Sequence, residues 1–414
     1  MRFILLLFIL LLSLPIFWIN IQLYSENQTN TGKKSDIQLQ LNFLETELKH
    51  HNLGERMQQI FPEGYVFVYA LYGLAWCELA LHDTSDTPLK EKAIQESLFA
   101  YNALNTEKAR SNFPNDLTPA LGIFYNGWRN YLLSKILSVD TSFIQSEDLI
   151  KTFNQQSDTI ITALSPSESP FLESYEGASW PADMFVAMAS ISNHDKIFNP
   201  KYKAYIEKWL KDVRKCIDPT TKNIPHEVDS KTGKTIEGAR GSSMGLILRM
   251  AGEIDQEFAQ EQYLVMKDNF IAKTVGLPSI REYPRGQEGP GDYDSGPVIF
   301  DIGFSATIVM IGTYAMLGYD DLSSQQYATI NAFGCPISSK VQKKYLLGKL
   351  PMADAFIAWG RATELNHSKD ITSNKTTFWR LQFQFISISI LIVLWALFFR
   401  KQLMLYFRST IRKH

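Results

Sequence analysis

The sequence predicts an all-α protein: an (α/α)6 toroid of helical hairpins with an apolar membrane segment at each end. Three observations carry that expectation. Roughly twelve helical stretches follow one another with little strand signal between them. Several open on a polar cap or a proline, as at Asp36, Asp86-Thr-Pro88, Thr118-Pro119, Trp180-Pro181 and Leu350-Pro351. The connecting loops alternate in length, as in paired hairpins, and no fixed-period repeat is present, which argues against TPR, ankyrin or HEAT arrays. An irregular α-solenoid is the alternative.

The chain opens with a run at 3–19 that is nearly all Leu, Ile and Phe after a single Arg2. Residues 1–22 therefore read as a membrane anchor or a secretory signal, and the lack of a small-x-small cleavage site favours an anchor. A polar linker at 23–35 leads into a domain at 36–368. Its expected helices are 36–60, 65–82, 88–105, 119–137, 146–164, 181–193, 201–216, 242–251, 256–275, 303–318, 323–333 and 351–364. A second linker at 369–377 precedes a transmembrane helix at 378–399. The tail at 400–414 carries Arg400, Lys401, Arg408, Arg412 and Lys413. By the positive-inside rule this tail is cytoplasmic, which puts the domain on the periplasmic or extracellular side.

Net charge is -2, and the central region has no basic block, so nucleic acid is not an expected partner. The 3 cysteines, Cys77, Cys216 and Cys335, are far apart and form no C-x-x-C pair, so neither a disulfide framework nor a zinc site is indicated. Aromatics at 13% supply surfaces for stacking on a sugar or an apolar ligand.

Three stretches could carry chemistry. In 280–304, Gly and Pro exclude a helix, and Glu282, Glu288, Asp292, Asp294 and Asp301 share one shaped loop with Arg281 and Tyr283. Two carboxylates poised in one pocket can act as general acid and base. An EF-hand is excluded, because Pro297 stands where the turn glycine belongs and Gly303 where the closing glutamate belongs. In 172–183, Tyr175 and Glu176 precede a turn and Trp180-Pro181 opens a helix. Asp183 falls in its first turn, where the dipole favours a negative charge. In 224–243, His226 precedes a Ser-Lys-Thr-Gly hairpin tip and Arg240 sits among glycines before a helix, where it could grip a carboxylate or phosphate. No Walker loop, dinucleotide fingerprint, H-E-x-x-H or nucleophile elbow is present.

Taken as a set, several motifs resemble the linalool dehydratase/isomerase family over 124–322. They are Phe124-Tyr-Asn-Gly-Trp-Arg-Asn-Tyr131, Ser174-Tyr-Glu176, Ile217-Asp-Pro219, Asp229-Ser-Lys-Thr-Gly233, Glu253-Ile-Asp255, Arg281-Glu282 and the Gly289 to Gly296 run. The resemblance implies an α/α six-hairpin barrel that adds or removes water at a tertiary alcohol without metal or organic cofactor. The positions of the family's cysteine pair are held here by Tyr175 and Asp183, and that of its histidine by Trp128.

The expected catalytic residues are Glu176, Asp183, His226, Glu282, Asp292 and Asp294. The expected substrate contacts are Tyr125, Trp128, Tyr175, Trp180, Arg240, Arg281 and Tyr283, with no metal ligand and no cofactor. The expected function is a membrane-anchored acid–base lyase, a dehydratase or hydratase, for a small or lipid-like hydroxylated substrate. The alternatives are a cell-envelope glycoside hydrolase or polysaccharide lyase, and a non-catalytic glycan- or lipid-binding protein. Expected partners are a small-molecule or glycan substrate and the membrane, with a homo-oligomer left open.

Overall fold

A computed structural model of the protein describes residues 2–25, 29–140, 146–293, 295–367 and 378–411. The linker expected at 369–377 lies outside the described residues. The helices are α1 (Arg2–Gln22), α2 (Asn30–His50), α3 (Leu53–Ile60), α4 (Gly64–His82), α5 (Thr87–Leu104), α6 (Glu107–Arg110), α7 (Gly122–Val139), α8 (Glu147–Leu164), α9 (Pro181–Ile197) and α10 (Lys203–Val213). They continue as α11 (Gly241–Ile254), α12 (Gln256–Phe270), α13 (Phe304–Met316), α14 (Asp320–Phe333), α15 (Pro351–His367) and α16 (Leu381–Ile411).

Six of them close a ring. α4 packs on α7, α7 on α9, α9 on α11, α11 on α13, α13 on α15, and α15 returns to α4. Outside this ring lie α2, α5, α8, α10, α12 and α14, each packed on one or two inner helices. The architecture is the expected (α/α)6 barrel. The residue patterns explain the two layers. α4 is apolar around its whole circumference and buried almost continuously from Gly64 to Ala80, as an inner helix must be. α10 buries only Trp209, Leu210 and Val213 along one stripe. α13 and α15 approach closely where Gly312 faces Gly360, and a Cβ at Gly312 would come within 3.2 Å of the Gly360 Cα.

The structure refines three expectations. The stretch 36–60 is two helices, because Asn52 takes a left-handed φ of 49° between them. The chain is already helical at Asn30, where Thr29 accepts from the Gly32 N–H. The helix expected to reach 275 ends at Phe270, and Ile271–Thr274 pairs with Leu277–Ile280 as a hairpin. The β-branched Ile271 and Thr274 favour that extended form. Further two-stranded hairpins join Glu227–Val228 to Thr235–Glu237, Val298–Ile299 to Ile302–Gly303, and Ile337–Ser338 to Lys343–Lys344.

Among the described residues three helices are long and apolar enough to cross a membrane by length and composition: α1, α4 and α16. α4 is a buried member of the ring, whereas α1 and α16 are largely exposed and pack on each other. Asn20 Nδ2 donates to Ser387 Oγ at 3.1 Å between them. They meet the barrel through a cluster of Leu23, Leu277, Ala332 and Phe383.

The C-terminal halves of the inner helices converge on a buried ionic cluster. Arg249 of α11 reaches Glu78 of α4 at 3.0 Å and Glu253 at 2.8 Å. Lys135 of α7 reaches the same two carboxylates at 3.0 and 3.4 Å. Tyr131 and Asn193 donate to Glu253, and Asn366 donates to Glu78. Burial alone would raise both carboxyls, but the Lys135 and Arg249 charges hold them below the usual range. Removing one partner leaves an uncompensated buried charge. Arg249→Met is therefore expected to lower stability by about 3–5 kcal/mol. The double variant with Glu78→Gln should fall short of the sum of the two single losses, as measured by urea unfolding of the full chain.

Candidate functional site

At the opposite end of the ring the first turns of all six inner helices surround a cavity of about 190 Å³. They contribute Glu63 and Phe67 (α4), Phe124 (α7), Asp183 (α9), Ser242 and Ser243 (α11), Phe304 and Ser305 (α13), and Met352 and Phe356 (α15). α3 adds Met57 and Ile60, and the connection between α12 and α13 folds Tyr293, Ser295 and Gly296 over the mouth. The floor is aromatic: the Phe67 ring lies 5.0 Å from Phe124 and 5.7 Å from Phe356. One wall is polar, formed by Asp183, His226, Ser242 and Ser243.

Each polar group on that wall has a partner. Asp183 sits in the first turn of α9, and Ser174 Oγ donates to its Oδ2 at 2.5 Å. His226, at the base of the hairpin that leads into α11, has its Nδ1 2.5 Å from Ser243 Oγ. Burial, reinforced by the Arg240 guanidinium, pushes His226 down to about 3, so its ring is neutral at physiological pH. Ser242 Oγ donates to Glu282 Oε1 at 2.6 Å. Glu282 is fully buried directly behind Ser242, and its Oε2 has no partner among the described residues. Burial lifts this carboxyl to about 7 against the opposing Ser242 hydrogen bond and Arg240 charge. Glycine at 303 leaves room for the carboxylate, since a Cβ there would stand 2.5 Å from Glu282 Oε2 and push it aside.

The structure separates the residues that the sequence grouped. Trp180, Asp183 and His226 line the cavity. Glu282 lies one hydrogen bond behind it. Tyr125 turns away, its hydroxyl donating to Leu104 O at 2.6 Å, because one helical residue is about 100° of rotation from Phe124. Trp128 follows Phe124 by one turn and is enclosed beneath the floor, its ring 5.2 Å from Phe67. Tyr175 stacks on Phe113 and meets Trp180 edge-on behind the wall. Glu176 is exposed in the Tyr175–Ala178 turn. Arg240 is held by Glu237 at 2.5 Å and by Asp292, above the Tyr283 ring. Asp292 also accepts from the Ser295 backbone N–H at 2.8 Å, which closes its own turn. Arg281 ties the loop together through Asp301 at 3.0 Å and the Gln287 carbonyl. Tyr283 donates to the Pro290 carbonyl at 2.9 Å. Asp294 lies outside the described residues.

Sequence reasoning did not select Glu63, Ser242, Ser243, Met352 or Phe356 for the site. A usable signal was present: in a toroid the first turns of the inner helices share one end, and each of these residues sits at such a start.

No protein-family model matches the chain, and neither does any curated protein. Solved structures do match by fold. An unsaturated glucuronyl hydrolase specific for heparin superposes with a TM-score of 0.51 at 12% identity, covering 80% of this chain and 96% of its own. A D-mannose isomerase superposes with a TM-score of 0.44 at 11% identity, covering 71% and 86%. Both neighbours are α/α-toroid enzymes.

The raised carboxyl of Glu282 has a stability consequence. Between its unfolded value, about 4.3, and about 7, the native state holds a proton that the unfolded chain has lost. The Glu282 contribution therefore declines across that window and is constant above it. The melting-temperature advantage of Glu282→Gln over wild type is expected to grow from pH 4.5 to pH 7 and then level off. A difference independent of pH contradicts the assignment.

Proposed function

We propose that the protein is an acid–base lyase, anchored in a membrane by α1 and α16, that removes water from or adds it to a small, mostly apolar alcohol. The observation that carries this reading is the contrast within the cavity: one wall of Asp183, His226, Ser242 and Ser243 faces a floor of Phe67, Phe124 and Phe356. At about 190 Å³ the space is smaller than the roughly 300–1,000 Å³ of drug-sized sites, so a compact substrate fits best.

In this reading Glu282 is the proton reservoir. For the transfer the 2.6 Å contact reverses, the protonated carboxyl donating to Ser242 Oγ while the hydroxyl turns its own proton to the substrate hydroxyl, and that oxygen leaves as water. Asp183 takes a proton from the neighbouring carbon and an alkene forms; hydration is the reverse. Positive charge developing on carbon is stabilised by the aromatic floor, as cations are over ring faces. A carboxyl poised near 7 is matched to general acid work at neutral pH. Dehydration is then expected to slow as pH rises through about 7.

The membrane part of the proposal is supported by the two exposed apolar helices and the basic C-terminal residues of the sequence. Domain outside and both chain ends inside is the topology it implies.

A second reading, hydrolysis of a short glycan, is favoured by Trp180 and Tyr293 at the cavity mouth, since aromatic faces stack on sugars. The toroid neighbour named as a heparin-specific glucuronyl hydrolase gives an instance of that chemistry on this fold.

The test is a thermal-shift screen of the full chain in detergent against small tertiary alcohols and against disaccharides, followed by turnover assays on hits. Stabilisation by alcohols is expected, with turnover falling about 10²–10⁴-fold in Asp183→Asn and Glu282→Gln while binding persists. Stabilisation by disaccharides alone replaces the first reading with the second.

A further inference from the structure

The acid–base reading leaves one pair on the wall unused. Ser243 Oγ and His226 Nδ1 stand 2.5 Å apart, both residues line the cavity, and Ser243 is only 7% exposed. We propose that Ser243 is a nucleophile activated by His226, and that the cavity cleaves small apolar carboxylic esters through an acyl-serine intermediate.

Three features support this arrangement. The first is the order of the groups. With Nδ1 accepting from Ser243, the ring proton sits on Nε2, which faces Glu237 Oε2 at 4.0 Å. Nucleophile, base and orienting carboxylate then stand in sequence, the last across a gap that one small adjustment or a water can bridge. The second is the base itself. The imidazole is held neutral by burial and by Arg240, which leaves the Nδ1 lone pair for the Ser243 hydroxyl, and the Asp292 and Glu237 carboxylates are the charges that offset the imidazolium when the proton transfers. The third is position. Ser243 lies in the first turn of α11, where the positive end of the helix favours negative charge on oxygen. Ser295 and Ser305 line the same space.

The chemistry balances with water as the only co-reactant. Ser243 Oγ bonds to the ester carbonyl carbon while its proton moves to His226 Nδ1. The C–O bond to the alcohol breaks, and the alcohol departs with that proton. Water then attacks the acyl-serine, giving up a proton to His226. The acid leaves, and the proton returns to Ser243. The acyl group is limited to a short apolar chain by the phenylalanine floor.

The decisive experiment treats the full chain in detergent with diisopropyl fluorophosphate and maps the adduct by peptide mass spectrometry. Stoichiometric modification of Ser243 is expected. The adduct should be absent from Ser243→Ala, and labelling should be at least 100-fold slower in His226→Gln. Glu237→Gln, which removes the carboxylate facing Nε2 and also the ion pair that holds Arg240, should slow it several-fold. The p-nitrophenyl ester of a short acid should show a burst equal to the number of labelled sites. Wild-type protein with an unchanged melting profile that takes up no label, or takes it up on another residue, overturns the proposal. So does labelling of Ser243 at the same rate in His226→Gln, because a hydroxyl merely hydrogen-bonded to a structural histidine would behave that way. None of these outcomes depends on whether alcohol dehydration is found.

Discussion

The contact on which the rest of the barrel depends is the one between Arg249 and Glu78. In a ring of six inner helices, α11 and α4 stand opposite one another, so a 3.0 Å ion pair between them spans the axis. A charge that far from water is tolerable only if it is matched. Glu253 and Lys135 complete a set of two cations and two anions, with Tyr131, Asn193 and Asn366 satisfying remaining oxygens. The cations lie toward the helix C-termini, where the negative dipole ends would otherwise converge unopposed. The cluster stops one end of the barrel with polar atoms in fixed positions, and apolar side chains cannot slide past it.

With that end stopped, the cavity lies at the other. The inner helices run in one direction, so their N-termini meet around the cavity. Helix starts bring hydroxyl and carboxylate residues with them: Asp183, Ser242, Ser243 and Ser305 all sit in first turns. The same geometry places Glu282 behind α11, where Gly241 N donates to the Glu282 carbonyl and Ser242 to its side chain. Burial favours the neutral form of both titratable groups, a protonated Glu282 and an unprotonated His226, and each meets one of two successive serines of α11, Ser242 and Ser243.

Much of the fold was legible because helix periodicity and proline or polar starts are local signals. The twelve barrel helices were found with boundaries off by a few residues, and the one split, at Asn52, turned on a single left-handed residue. Asp183, His226 and Trp180 were found for the same reason: each adjoins the start of an inner helix or a marked turn. Legibility failed where rotation decides. Tyr125 and Trp128 are neighbours of Phe124 in sequence, yet one faces α5 and the other lies a full turn below the cavity. It failed again in the loop at 280–304, where Asp292, Asp301, Arg240 and Arg281 pair with one another to shape the loop. Opposite charges far apart in sequence give no sign that they will meet. Glu63 carried no motif at all and enters the site only because α4 starts there.

The most direct test of the account is to ask where a small apolar alcohol binds. A diazirine-bearing tertiary alcohol, photolysed with the full chain and mapped by mass spectrometry, should mark the cavity peptides that contain Phe67, Phe124 and Phe356, and an unreactive parent alcohol should compete the label away. Label confined to α1, α16 or the outer helices, or label that the parent alcohol does not displace, would contradict a substrate cavity at the N-terminal end of the ring.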